Sequence, residues 1–111
     1  MTRLQGEQYL MRIFIGESDR FENRPLYQYL VELFRKEKIA GTTVLRGIAG
    51  FGAKSHLHTA NILRLSSDLP IVIEVVDTKD NIDRITAKID AIIRDGLITI
   101  EKITVIKYNA N

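Results

Sequence analysis

The sequence YLMRIFI, residues 9–15, predicts the central strand of a sheet. Successive side chains of an extended chain point to opposite faces of a sheet. The odd-numbered positions here are apolar or aromatic, and the even-numbered positions are apolar except for Arg12. A strand that is apolar on both sides is covered on both sides, so this segment belongs inside a sheet rather than at a solvated edge.

A helix and a second strand follow this segment. Pro25 suits the first turn of a helix. Apolar residues then recur at helical spacing, namely Leu26, Tyr29, Leu30, Leu33 and Phe34. The pattern predicts a helix over about 25–39 that stops at Gly41 in a left-handed conformation. The β-branched residues of TTVLRGI, 42–48, predict the second strand.

The second half of the chain repeats this plan. LPIVIEVV, residues 69–76, predicts a third strand, and Asp77 or Thr78 provides an N-cap for a second helix. The apolar stripe of that helix consists of isoleucines, namely Ile82, Ile85, Ile89, Ile92 and Ile93. Gly96 ends the helix, and LITIEKITVIKY, residues 97–108, predicts a long last strand.

The order of these elements predicts the fold class. The sequence reads β-α-β, an insert, and β-α-β, which is the ferredoxin-like split βαβ arrangement of an α+β protein. Its four-stranded antiparallel sheet carries both helices on one face. Within the last strand, the apolar parity switches between Ile100 and Ile103, which predicts a bulge or a break at Glu101 and Lys102.

The other face of this sheet also needs a cover. It is too apolar to remain in water, and the last strand is about twice the usual strand length. Both features predict a homo-oligomer. Arg12 and Glu74 lie at the centres of the first and third strands, which are neighbours in this topology. We expect them to form a cross-strand ion pair beneath the oligomer interface.

Composition excludes several classes of protein. With 111 residues, the chain has the size of one domain, residues 1–111. The absence of cysteine excludes disulfides, thiolate metal sites and cysteine nucleophiles. The first residues contain no apolar run long enough to span a bilayer, so we expect a cytoplasmic protein without membrane insertion. A net charge of +2 is too small to hold nucleic acid by bulk charge.

The charges are unevenly distributed along the chain. No carboxylate lies between Glu37 and Asp68, and this acid-free window contains a long insert between the second and third strands. Glycines and basic groups cluster there, namely Arg46, Gly47, Gly50, Gly52, Lys54, His56, His58 and Arg64. These are the ingredients of an anion-binding loop. The alternative is an ordinary glycine-rich loop with solvated basic side chains.

Three other functions fit the residues less well. His56 and His58 lie on one side of an extended segment, as in a metal pair, but the nearest carboxylate in sequence is Asp68. IFIG (13–16) and GFGA (50–53) resemble parts of the RNA-recognition signatures, yet a complete strand separates GFGA from the second helix. No catalytic triad or nucleophile elbow is visible. We therefore predict no metal site, no nucleic-acid binding and no catalytic residue.

A set of motifs spread over the insert and its flanks carries a resemblance. These motifs are Arg46-Gly47-x-x-Gly50-Phe51-Gly52-Ala53, His58-Thr59, Leu63-Arg64-Leu65-Ser66 and Asp68-Leu69-Pro70. A helix that starts at a proline precedes them, and an isoleucine-rich helix follows. On these residues the chain resembles the uncharacterised PII-like (GlnB-like) family of small prokaryotic proteins, which is related to the nitrogen regulatory PII proteins.

The resemblance implies a ferredoxin-like subunit in a homotrimer. PII proteins bind adenine nucleotides in clefts between subunits, at the base of a loop after the second strand, and that loop signals the ligand state to a partner transporter or enzyme. The insert at about 49–68 corresponds to this loop. PII chains carry lysines where this sequence has Ile71 and Ile73, and a phosphate-gripping loop where it has only residues 94–96. The chain therefore either takes a different ligand or holds phosphate with its own basic residues.

The expected function is that of a non-catalytic signalling protein. We expect a small anionic ligand, an adenine nucleotide or another phosphorylated metabolite, to bind at the inter-subunit cleft beside the 49–68 loop. The candidate ligand-binding residues are Arg46, Gly47, Gly50, Phe51, Gly52, Lys54, His58 and Arg64. The alternative is a structural oligomeric adaptor that contacts its partner protein without a small ligand.

Overall fold

A computed structural model describes residues 5–50 and 68–110, and its main feature is one antiparallel sheet beneath two helices. In chain order the elements are β1 (Gly6–Gly16), β2 (Arg20–Phe21), β3 (Arg24–Pro25), α1 (Leu26–Lys36), β4 (Gly41–Arg46), β5 (Pro70–Asp77), α2 (Lys79–Ile89) and β6 (Leu97–Val105). The four long strands lie in the order β4-β5-β1-β6. This is the split βαβ, α+β arrangement that the sequence predicts.

The central position of β1 is confirmed. It pairs antiparallel with β5 on one side and with β6 on the other. Its odd-numbered residues Met11, Ile13 and Ile15 are buried toward the helices. They pack in a core with the alternate residues of β5 and with the apolar stripes of α1 and α2, namely Ile71, Ile73, Val75, Leu26, Leu30, Phe34, Ile82, Ile85 and Ile89.

The first helix is shorter than its apolar pattern predicts. It ends at Lys36 because the backbone of Lys38 adopts a left-handed conformation, with a φ of 62°. The Ile39 N–H then donates to the Phe34 carbonyl at 3.0 Å, and the Lys38 N–H donates to the Arg35 carbonyl at 3.1 Å. These two bonds are those of a Schellman turn. The prediction that Gly41 stops the helix is therefore wrong, since Gly41 already begins β4.

The second helix begins where its N-cap predicts. The Thr78 hydroxyl accepts a hydrogen bond from the Asn81 N–H at 3.2 Å, which satisfies one of the unpaired donors of the first turn. The helix buries Ile82, Ile85 and Ile89 and ends at Ile89, so the prediction that it continues to Gly96 is wrong. Neither helix in the described part of the chain has the length and hydropathy of a membrane-spanning segment.

A small hairpin that the sequence analysis does not predict precedes α1. Strands β2 and β3 pair across Glu22 and Asn23, which both have positive φ, at 50° and 63°. Two central residues with positive φ are the geometry of a type I′ turn. The hairpin packs on α1, where the Phe21 and Tyr29 rings meet edge to face with centroids 4.6 Å apart.

Strand β6 is continuous, so the predicted bulge or break is wrong. Glu101 and Lys102 lie opposite Leu10 and Tyr9 without a skipped residue. The apolar parity switches while the register is kept: Ile98 lies opposite Ile13 and packs against the core, whereas Ile103 lies opposite Gln8 on the other face of the strand. The strand ends at Val105 rather than at Tyr108, since Val105 already lies opposite Gly6, the first residue of β1.

The face of the sheet turned away from the helices is called the open face here. It contains the even-numbered residues of β1 and β5, and Leu10, Phe14, Val72 and Val76 on it are only partly buried. At its centre the predicted cross-strand ion pair is confirmed, with Arg12 Nε 2.9 Å from Glu74 Oε2. Glu101 adds a second carboxylate, 3.1 Å from Arg12 Nη1.

Candidate functional site

Three strands of the sheet converge at the ends of the long insert. Strand β1 ends there at Gly16, β4 ends at Arg46 and β5 begins at Pro70. Two backbone hydrogen bonds hold these ends together. The Glu17 N–H donates to the Leu69 carbonyl at 2.8 Å, and the Gly47 N–H donates to the Pro70 carbonyl at 2.7 Å. The points where the insert leaves and rejoins the sheet are thus fixed against β1 and β5.

Arg46 occupies this end of the sheet with a carboxylate beside it. Its Nη2 atom lies 3.0 Å from Glu17 Oε1, and its side chain remains 46% exposed. The strand register explains the pairing. Arg46 lies opposite Ile71, which lies opposite Ile15, two residues before Glu17. The side chains of Arg46 and Glu17 therefore reach the same side of the sheet.

Glu17 was not among the predicted site residues. Its Oε1 atom is buried and accepts no hydrogen bond from the described residues, so its contact with Arg46 is an ion pair rather than an aligned hydrogen bond. The sequence contains the signal that would have found it. In a split βαβ fold, the residue after the end of the first strand lies beside the end of the second, because both flank the third strand.

Two further carboxylates lie at this end. Asp68 Oδ1 accepts a hydrogen bond from the Ser18 N–H at 3.2 Å, and Asp19 Oδ2 accepts one from the Gly16 N–H at 3.0 Å. The end of the sheet from which the insert leaves therefore carries carboxylates as well as Arg46. Arg46 contacts Glu17, and Asp19 and Asp68 each accept a hydrogen bond from a backbone N–H at this end.

Both described glycines of the motif have a local packing role. Gly50 has a φ of +149°, and a Cβ atom there would lie 3.0 Å from Pro70 Cγ. A Cβ atom on Gly47 would lie 3.4 Å from Pro70 Cβ. A side chain at Gly50 would therefore meet both backbone strain and a crowded proline ring. The two glycines bring the start of the insert close against the start of β5.

The structure thus brings together three of the predicted site residues: Arg46, Gly47 and Gly50. The other five, Phe51, Gly52, Lys54, His58 and Arg64, lie outside the described residues. His56, the second member of the predicted histidine pair, lies outside them as well. Among the residues that the structure describes, no group of three or more histidine, aspartate or glutamate side chains is placed to hold a metal ion.

Family relationships extend over most of the chain. The model of the DUF190 family, described as "Uncharacterized ACR, COG1993", matches residues 8–105. A UPF0166 protein of Aquifex aeolicus is 38% identical over 97 residues, which are 87% of this chain and 91% of that protein. A UPF0166 protein of Methanocaldococcus jannaschii is 37% identical over 92 residues, 82% of this chain and 84% of that protein.

Solved structures with the same fold come from PII-like proteins. CPII of Thiomonas intermedia, bound to ADP, AMP and acetate, superposes with a TM-score of 0.65 at 12% identity and covers 92% of this chain and 91% of that one. A putative PII-like signaling protein of Thermus thermophilus gives a TM-score of 0.65 at 15% identity, with 91% of each chain covered. At these identities the likeness concerns the fold. The resemblance read from the sequence is confirmed: the chain belongs to the DUF190 family and has the fold of the PII-like proteins.

Proposed function

We propose that this protein is a non-catalytic PII-like regulator that binds a small anionic ligand at a cleft between subunits. The ligand is an adenine nucleotide or another phosphorylated metabolite, and it lies against the insert at about 49–68. Binding orders the insert and thereby changes its contact with a partner protein, since a glycine-rich segment has much conformational entropy to lose. The assembly is a homotrimer, and the partner is a transporter or an enzyme.

One observation carries this proposal. The partly exposed guanidinium of Arg46 lies where the insert leaves the sheet, on a backbone held to Pro70 by the Gly47 hydrogen bond. A cation on a fixed strand end is a suitable anchor for a phosphate group, because guanidinium groups bind phosphate oxygens in a bidentate manner. The structural relatives support the ligand class, since CPII is seen with ADP and AMP, and in a second structure with ADP and bicarbonate.

In this proposal Glu17 holds Arg46 in place before the ligand arrives. The carboxylate keeps the guanidinium at this end of the sheet, and an incoming anion competes with it for Arg46. The remaining donors come from the insert: Lys54, His58 and Arg64, with the backbone around Phe51 and Gly52. Because Glu17 and the ligand share one cation, we expect Glu17→Gln to bind the same anion more tightly than the wild type does.

Thermal unfolding with added ligand tests the proposal. ADP, AMP, ATP and inorganic phosphate are titrated into the wild type, into the Arg46→Ala, Lys54→Ala double variant and into Arg35→Ala. Arg35 is an exposed arginine of α1 and serves as the matched control. A ligand of the native state stabilises it by about 2.7 kcal/mol at a hundred times its Kd. We expect one of the anions to raise Tm in the wild type and in Arg35→Ala, and to lose this effect in the double variant.

Absence of any shift across the four anions, or shifts that persist unchanged in the double variant, would contradict the anion site.

The same experiment addresses the structural adaptor without a small ligand. That alternative is favoured by Glu17 beside Arg46, and by Asp19 and Asp68 at the same end of the sheet, because these carboxylates offset the charge of Arg46. The adaptor predicts no shift with any anion and an unchanged oligomer in every variant.

The RNA-binding alternative gains no support from the open face. Single-stranded RNA is held by aromatic side chains on the two central strands of a βαββαβ sheet. Here the described open face has Phe14 on β1, but β5 presents Val72, Glu74 and Val76. An apolar face with a central ion pair suits contact between protein subunits rather than RNA.

Light scattering tests the homotrimer directly. We expect it to show three copies per particle.

A further inference from the structure

Four cationic side chains lie around one carboxylate where α1 ends. Glu37 is the residue after α1, and its carboxylate contacts Arg84 Nη1 and lies 3.5 Å from Lys88 Nζ, both on α2. Lys36 and Lys38, the sequence neighbours of Glu37, are exposed and form no ion pair within the described part of the chain. These five side chains, called the basic surface here, carry four positive charges against one negative charge.

The backbone of Lys38 supports a role for this surface. Lys38 is the left-handed residue of the Schellman turn, with a φ of 62°. Glycine is the usual residue at this position, because a Cβ atom opposes a positive φ. Arg35 and Lys36 already place cations in the last turn of α1, where they suit the helix dipole. A further lysine in a strained conformation indicates a use for its charge, since backbone strain is concentrated at functional sites.

The chemistry of the basic surface favours an acidic protein segment as its partner. Glu37 shows that Arg84 and Lys88 hold a carboxylate, the group to which guanidinium and ammonium donors bind most readily in proteins. A lipid bilayer is bound by cations with apolar side chains beside them. The exposed large apolar side chains of the described residues lie in or after β4 and β6, and none is on α1 or α2. Nucleic acid is disfavoured by the small net charge of the chain, +2.

The basic surface is separate from the anion site. Strand β4 begins at Gly41, shortly after the basic surface, and ends at Arg46, where the insert leaves the sheet. A strand of six residues spans roughly 17 Å. We propose that the basic surface binds an acidic segment of a partner protein, at the opposite end of β4 from the insert. The inference goes beyond the proposed function, because it gives a partner a contact that requires neither the insert nor a ligand at Arg46.

Binding of a labelled hexaglutamate peptide, measured by fluorescence anisotropy at low ionic strength, tests the proposal. Hexaglutamine is the uncharged control peptide. The test variant is the Lys36→Gln, Lys38→Gly double variant. The charge-matched control is Lys102→Gln with Lys107→Gln, which removes two exposed ammonium groups in and after β6. The Arg46→Ala, Lys54→Ala double variant shows whether the peptide uses the anion site instead.

We expect the wild type to bind hexaglutamate in preference to hexaglutamine. Loss of two of the four cations should weaken this binding about tenfold at low ionic strength, and added salt should shrink the difference. The charge-matched control and the Arg46→Ala, Lys54→Ala variant should bind as the wild type does. No preference for hexaglutamate, or an equal loss in the charge-matched control, overturns the proposal. Neither result bears on the anion site, which is tested with other ligands.

Lys38→Gly alone separates binding from stability. We expect its Tm to equal or exceed that of the wild type, because glycine accepts the positive φ without strain, while its affinity for hexaglutamate falls. A lower Tm would show that Lys38 serves the fold and would contradict the binding role. Vesicles of phosphatidylcholine with roughly 30% phosphatidylglycerol, and single-stranded DNA, are measured in parallel. Binding of either that exceeds hexaglutamate binding and is lost in the Lys36→Gln, Lys38→Gly variant overturns the choice of an acidic protein segment.

Discussion

At the scale of single residues, Asp77 is the most constrained polar side chain of the described chain. It is completely buried at the end of β5. Its Oδ2 atom accepts from the Ala40 N–H at 2.9 Å, and its Oδ1 atom accepts from the Thr78 N–H at 2.6 Å and from Asn81 Nδ2 at 2.9 Å. One carboxylate thereby ties the loop before β4 to the start of α2, where a negative charge also suits the helix dipole.

We predict that Asp77→Ala destabilises the fold by about 3 kcal/mol, because three buried or partly buried donors lose their acceptor at once. Urea unfolding of the variant and the wild type measures the change as a lower midpoint with an unchanged slope. Asp83→Ala is the matched control, since Asp83 is an exposed carboxylate of α2 that pairs with Lys79. If Asp77→Ala lowers the free energy of unfolding by no more than Asp83→Ala does, the role given to the Asp77 carboxylate is contradicted.

A second residue-scale effect concerns pH. Glu32 on α1 pairs with Arg24 of the hairpin, and the hydrogen bond from Arg24 lowers the pKa of the Glu32 carboxyl below its ordinary value of 4.5. A carboxyl whose pKa is lower in the folded state contributes stability above its unfolded pKa. That contribution is lost as pH falls through the folded value. The ion pair thus stabilises the packing of the hairpin on α1 at neutral pH, and this stabilisation is lost when Glu32 is protonated.

We predict that wild type exceeds Glu32→Gln in stability at pH 7 and that this small difference is lost as pH falls through the folded-state pKa of Glu32, which lies below 4.5. Because the pair is exposed to solvent, 0.5 M NaCl should shrink the difference at pH 7. Chemical unfolding of both proteins between pH 3 and pH 7 measures it. A difference that stays constant across this range would show that the charge of Glu32 plays no part.

At the scale of elements, hydrophobic periodicity predicted the strands of the main sheet and both helices, because each element buries one side against the core. It failed where geometry other than burial decides. Lys38 ends α1, although nothing in a lysine favours the left-handed region. The hairpin turn is Glu22-Asn23, which lacks the glycine that is common in type I′ turns. The edge strand β6 kept its register while its apolar parity changed.

The connection between α2 and β6 depends on one glycine. Gly96 has a φ of +150°, and a Cβ atom there would lie 2.5 Å from the Phe14 carbonyl oxygen and 3.2 Å from Ile15 Cγ2. The connection therefore passes directly over the end of the central strand. A side chain would push it away from β1 and disturb the pairing of Leu97 with Phe14.

We predict that Gly96→Ala lowers stability by about 2 kcal/mol or more, since both the positive φ and the contact with backbone oppose a methyl group. For a domain of this size, Tm should fall by roughly 10 °C at fixed protein concentration. Gly41→Ala is the control, because a Cβ atom on Gly41 has nothing within 4 Å and Gly41 has no positive φ. Equal Tm values for the two variants would contradict the close-approach argument.

At the scale of the whole molecule, the candidate site was less predictable than the fold. The motif indicated Arg46, Gly47 and Gly50, but not the acidic neighbour of Arg46, because Glu17 comes from a distant part of the chain. Only the pairing of β1 with β5, and of β5 with β4, places Glu17 beside Arg46. The basic loop stays a prediction from composition, and composition could not show that Arg46 at its base is paired with Glu17.

The open face connects the charge pattern to assembly. Arg12 lies 2.9 Å from Glu74 and 3.1 Å from Glu101, and the hydrogen bond that Arg12 donates to Glu74 raises the pKa of the Arg12 guanidinium further above its ordinary value. The three side chains are at present partly exposed. If a second copy covers this face, the cluster loses water, and a charge left without its partner then becomes costly.

The cluster is asymmetric, and this gives a prediction for the assembly. Glu74→Leu leaves Arg12 paired with Glu101, whereas Arg12→Leu leaves two carboxylates facing each other without a cation. We predict that Arg12→Leu raises the dissociation concentration of the oligomer by about tenfold or more, and that Glu74→Leu has a clearly smaller effect. Light scattering over a concentration series measures both. Lys79→Leu removes an exposed ion pair on α2 and should leave assembly unchanged. An Arg12→Leu oligomer as stable as that of Glu74→Leu would mean that the open face stays in water.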